Sequence, residues 1–175
     1  MEVVTKISPK EAEHLKILDK VNLYINNFLA VLAGISLFSM MFLIVGNSIV
    51  RQFYVPYIGT VEVVGWLAAL TAAFALGHTQ RDKGHVVLDL LMEKLPIKVQ
   101  SVVGFIVNLI NIVFFSFVFY HLFLFSLELK TNGYVSETLV IAYYPFVILL
   151  AIGFFGLIFA LIVDLVQGLK KEESQ

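Results

Sequence analysis

The chain has 175 residues, 59% apolar and only 14% charged, with twelve basic groups against thirteen acidic and a formal net charge of −1. A soluble domain carries about 25% charged residues, so lipid is the expected solvent, and no basic surface of nucleic-acid type remains. The absence of cysteine excludes disulfides, thiol catalysis and thiolate metal sites.

At the N-terminus, Ser8-Pro9-Lys10-Glu11 is a capping-box pattern with proline at the first helical position, and Ala12, Leu15, Leu18 and Val21 follow at helical spacing. Residues 1–21 therefore read as a segment with a short amphipathic helix that lies on the membrane surface and runs into the first span. Uncharged runs then occupy 21–50, 63–80, 99–127 (broken only by His121) and 138–163. A spanning helix needs about 20 apolar residues. These runs predict one domain over 22–165, with four transmembrane helices at about 22–50, 61–80, 99–127 and 138–165. The second run has only 18 residues, which leaves little room for tilt.

The connection after the first span holds Tyr54, Pro56, Tyr57 and Gly59 and reads as a turn with aromatic residues at headgroup level. Glu62, opening the second helix, either pairs with Arg51 and ties two helix ends together, or is a solvated interfacial carboxylate. Within that helix Gly65, Ala69, Ala73 and Gly77 recur every four residues, flanked by Ala68 and Ala72. Such a stripe lets helix backbones approach closely in lipid, against this chain's own helices or against a larger partner.

Four residues further on, Arg81 opens a polar joint that includes Gly84, His85 and Asp89. Residues 86–95 are a second amphipathic candidate, with Asp89 and Glu93 on one face and Val87, Leu88, Leu91 and Leu95 on another, stopped by Pro96. Asn47, Asn108 and Asn111 read as interhelical hydrogen-bond links. The last connection centres on Asn132-Gly133, a short polar turn beside Lys130.

Ten of the twelve basic residues fall before the first span, between the second and third, or after the fourth; only Arg51 and Lys130 lie on the other side. By the positive-inside rule both termini are cytoplasmic, including the tail at 166–175. The expected class is an all-α integral membrane protein, with four transmembrane helices and short amphipathic interfacial helices. No catalytic, cofactor or metal constellation is visible. His78 and His121 fall at opposite depths of antiparallel helices, so they cannot share a haem iron, and no Ser/His/acid set converges. Nor are inverted repeats evident, a common mark of a secondary transporter's own substrate site. The residues read as a non-catalytic bundle that acts by touching something else.

Several marks follow in order. Asn47-Ser48-Ile49-Val50-Arg51 closes the first helix and Glu62 opens the second; then come Gly77, Arg81, Gly84-His85-Val86, Asp89 and Leu95-Pro96, with Ser136 and Tyr144-Pro145 before the fourth helix. Together they resemble the small membrane (DctQ-like) subunit of tripartite ATP-independent periplasmic (TRAP) transporters, over about residues 22–165. The chain departs from that pattern at Val61-Glu62-Val63, where the family often has two adjacent acids. Gln52 also separates Arg51 from Phe53, and Tyr144 stands where the family often has tryptophan.

The resemblance implies a three-part importer in a bacterial or archaeal inner membrane. A large membrane subunit would hold the transport path, a periplasmic binding protein would deliver an organic acid such as a C4-dicarboxylate or sialic acid, and an ion gradient, typically sodium, would drive uptake. This subunit would be static scaffold with no cofactor. Arg51, Glu62, Arg81, Gly84, His85 and Asp89 would be structural or subunit-interface residues, and Tyr54, Pro56, Tyr57 and Lys130 contacts for the binding protein. From the residues alone two other classes stay open. A self-sufficient homo-oligomeric transporter or channel requires flux without partners, and a membrane anchor of a redox complex requires bound haem or quinone.

Overall fold

A computed structural model describes residues 9–55, 57–81 and 97–173. They form four helices, α1 (Pro9–Phe53), α2 (Thr60–Arg81), α3 (Ile97–Thr131) and α4 (Tyr144–Glu173), all long and apolar enough to cross a membrane. Among the described residues there is no strand, only an isolated antiparallel bridge between Val135 and Ala142. The all-α, four-span class expected from hydropathy is the class found. Pro56, the joint residues Gly84, His85 and Asp89, and the amphipathic candidate at 86–95 lie outside the described residues.

The amphipathic start of the chain is continuous with the first span. α1 has 45 residues, about 67 Å at 1.5 Å per residue, more than twice a hydrocarbon core of about 30 Å. At the other end of the sequence the boundary moves inward: the fourth helix starts at Tyr144 rather than near 138. The Tyr143 carbonyl accepts from the N–H groups of Phe146 and Val147 (3.1 and 3.4 Å), and Pro145 occupies the first turn, where a missing N–H costs nothing. α3 stops on a Schellman cap. Gly133 has φ +66°, and the Tyr134 N–H reaches back to the Leu129 carbonyl at 3.1 Å.

α4 is the axis of the molecule, packing against α1, α2 and α3. Half of its most apolar eighteen-residue stretch is buried, against none in α3, which packs along α4. α1 buries Asn22, Asn26, Leu29, Ala33 and Ser36. Their 4-3-4-3 spacing is that of a seam against nearly parallel or antiparallel neighbours. The apolar centre joins Leu29 and Ala33 of α1 to Leu70 and Phe74 of α2, with Phe146 and Leu150 of α4 against them. Beyond Ser36 no side chain of α1 is fully buried, and residues 41–46 are exposed at every position.

Candidate functional site

The polar groups that a lipid-soluble bundle can least tolerate unpaired collect at its two ends, and α2 connects them. Towards the end that carries both termini, Asn26 is fully buried and its Nδ2 donates to Asn22 Oδ1 (2.6 Å) and to the Asn22 carbonyl (3.1 Å). Asn26 Oδ1 has no hydrogen-bond partner; it occupies the place where a Cβ on Gly77 would stand. A Cα–H···O contact is the interaction that geometry offers. Gly156 of α4 closes the same crossing, because a Cβ there would overlap Leu29 Cδ1. One turn on, Gln80 Nε2 donates to Asp164 Oδ2 (3.1 Å), and further out Gln167 Nε2 reaches Asp19 Oδ1 (3.4 Å). These contacts join α1, α2 and α4 over several turns at that end of the bundle.

The stripe Gly65, Ala69, Ala73 and Gly77 is divided by the structure. Ala73 and Gly77 are buried, and a Cβ on Gly153 of α4 would lie 2.8 Å from the Ala73 carbonyl carbon and oxygen. Gly65 and Ala69 are exposed, and nothing lies within 4 Å of a Cβ built on Gly65. Steps of four residues advance about 40° around a 3.6-residue helix, so the stripe turns by about 120° from one end to the other. Its first half therefore joins Ala68 and Ala72, also exposed, on the face turned away from α4.

The far end carries a hydroxyl clasp. Glu62 accepts from Tyr143 Oη (2.7 Å on Oε1), from Ser136 Oγ (3.0 Å on Oε2) and from Thr138 Oγ1. Glu62 thus takes donors from the α3–α4 connection instead of Arg51, which is exposed in the last turn of α1. Ser136 is itself buried and its Oγ accepts from the Leu139 N–H (3.0 Å). Trp66, one turn along from Glu62, packs its ring on Phe146 and edge-to-face on Tyr143, at centroid distances of 4.3 and 5.4 Å. Gly59 fits beneath Leu139, whose Cδ2 would stand 2.6 Å from a Cβ. Asn47 accepts from the Tyr57 N–H at 3.0 Å and so holds the first connection to α1.

Tyr54 and Tyr57 point outward, and Lys130, also exposed, stands 5.9 Å above the Tyr144 ring. Asn108 bonds the Leu161 carbonyl of α4 at 3.2 Å, an interhelical link of the expected kind. His121 is exposed on α3, its ring 4.2 Å from that of Phe117. Among the described residues no group of three or more His, Cys, Asp and Glu comes together as a metal site.

Asn22, Asn26, Gly153, Gly156 and Tyr143 were not singled out from the sequence. The 4-3-4-3 run that begins at Asn22 was the signal available for the first two, and the small residues Gly153, Gly156 and Ala160 on α4 for the seam. Compared with protein families, residues 40–171 match the profile described as "Tripartite ATP-independent periplasmic transporters, DctQ component". Comparison with curated proteins and with solved structures finds no match.

Proposed function

The chain belongs to the DctQ component family of tripartite ATP-independent periplasmic transporters, a transporter family and not an enzyme family, and from that premise we propose that it acts as a non-catalytic scaffold for a large transport subunit. On this reading the small permease subunit lies in the inner membrane with both termini cytoplasmic. It stabilises the large subunit during ion-gradient-driven uptake of an organic acid.

The observation that carries this reading is the division of α2. Ala73 and Gly77 are spent on the chain's own fold, while Gly65, Ala68, Ala69 and Ala72 remain exposed on one face. Lipid gains little from a groove of small side chains, whereas a neighbouring helix gains close backbone approach and dispersion contacts. In this reading the bare half receives a helix of the large subunit. Ala68→Phe and Ala69→Phe should abolish co-purification with the large subunit while leaving the chain's own expression and melting temperature unchanged. Unchanged complex yield and unchanged uptake in both variants would sink the assignment.

The surface offered to the binding protein on this reading is at Lys130, an exposed cation in the last turn of α3 beside the polar residues Thr131–Gly133. Lys130→Glu should weaken binding-protein affinity in a titration and slow uptake at limiting binding protein.

A further inference from the structure

The first connection carries an apolar surface that the bundle does not use. Phe53, Tyr54, Val55, Tyr57, Ile58 and Val61 are between 63% and 85% exposed. The backbone beneath them is nonetheless tied down. The Tyr54 N–H bonds the Val50 carbonyl (2.8 Å), the Tyr57 N–H bonds Asn47 Oδ1 (3.0 Å), and the Thr60 N–H bonds the Tyr57 carbonyl (3.2 Å). Gly59 is seated under Leu139. The outward display of these side chains is thus built into the turn and is not slack in a loop.

What covers such a surface depends on its depth. The Glu62 clasp, with three hydroxyls around one carboxylate, marks the level where polar groups replace hydrocarbon. The exposed side chains start at that level and continue past it, since they immediately precede α2. Their chemistry fits the boundary zone. Tyrosine has an apolar body and a polar tip, and aromatic side chains concentrate at headgroup depth in membrane proteins. Arg51, exposed one turn before Tyr54, adds a cation where a phospholipid presents its phosphate. In the second outer connection the run Lys130–Gly133 is exposed and polar, and the exposed apolar side chains Tyr134, Val135, Val140 and Ile141 come only after it.

We infer that the ledge formed by Phe53–Val55 and Tyr57–Val61 is an interfacial anchor, its exposed side chains seated in the headgroup and glycerol layer of the outer leaflet with Arg51 facing a lipid phosphate. The ledge holds the outer end of α1 and α2 at a fixed depth. The partner is the lipid surface and not a protein.

The chain has no cysteine, so single-cysteine variants Tyr54→Cys, Ile58→Cys and Asn132→Cys can each carry one nitroxide label in the full chain, in phosphatidylglycerol/phosphatidylethanolamine vesicles. Collision with oxygen against collision with a water-soluble nickel chelate then reports depth. The labels at 54 and 58 should show an oxygen-to-nickel ratio several-fold above that at 132, unchanged when the other two transporter components are added. A ratio at 54 and 58 as low as at 132 overturns the anchor. So does shielding that appears only with the binding protein or the large subunit present, which would assign the ledge to a protein contact. If a label perturbs folding, Arg51→Gln and Arg51→Lys give a second reading. The glutamine variant should lose selective retention of the anionic lipid on detergent washing and the lysine variant keep it; equal retention in both and in the parent removes Arg51 from the anchor.

Discussion

Val140 has a φ of +55°, a conformation that costs a β-branched residue about 1–2 kcal/mol relative to glycine. It is held there by its neighbours. The Val140 N–H bonds the Ser136 carbonyl (3.2 Å), the Ser136 N–H bonds the Ile141 carbonyl (2.8 Å), and Ser136 Oγ is fixed by Glu62. Two substitutions in this one turn should therefore move stability in opposite directions. Val140→Gly removes the strain and sacrifices only an exposed side chain, so it should raise the unfolding midpoint in detergent. Glu62→Ala leaves three hydroxyls without their acceptor and should lower it. Equal midpoints for the two variants would contradict the clasp. At this scale the sequence was half legible. Glu62 stands out as a scarce carboxylate at the edge of an apolar run, but its partners come from residues 136–143, where Ser136 counts only as a mark of the resemblance and Thr138 and Tyr143 fall inside the expected fourth span.

Helix α2 shows where pattern reading stops. The four-residue recurrence from Gly65 to Gly77 looks like one seam in a string of letters, yet a helix of 3.6 residues per turn carries it from one face to another. Adding a methyl group at its two ends should give contrasting results. Gly77→Ala drives a Cβ into Asn26 Oδ1 and toward the Gly156 backbone, so it should destabilise the chain by roughly 1–3 kcal/mol through overpacking. Gly65→Ala meets nothing within 4 Å and replaces a poor helix former by the best, so it should be neutral or stabilising by up to about 1 kcal/mol. Reversible unfolding in mixed micelles measures both. The asparagines were hidden for a different reason. Asn22 opens the expected first span and Asn26 follows one turn later, where a polar residue near a helix end reads as interfacial, and only the continuity of α1 through that point puts both inside the bundle.

For the whole molecule, the four spans were legible because hydropathy is a property of each segment alone. The central place of α4 was not, because in a chain this apolar every helix looks fit for the core. α2 has polar contacts at both ends, Glu62 with Tyr143 just ahead of α4 and Gln80 with Asp164 within it. Along α2 those two levels are about 27 Å apart at 1.5 Å per residue, close to the usual hydrocarbon thickness of about 30 Å. Thermal stability across phosphatidylcholines of increasing chain length should peak near that thickness and fall in thicker bilayers, where both pairs would be drawn into hydrocarbon. A flat series would mean that the paired ends do not set the fit. The stretch of α1 at 41–46, exposed at every position, carries a consequence for divergence among relatives. None of its side chains is buried among the described residues, so packing within the chain constrains their size only weakly, and a position in that stretch that stays fixed among relatives points to a neighbour outside this polypeptide.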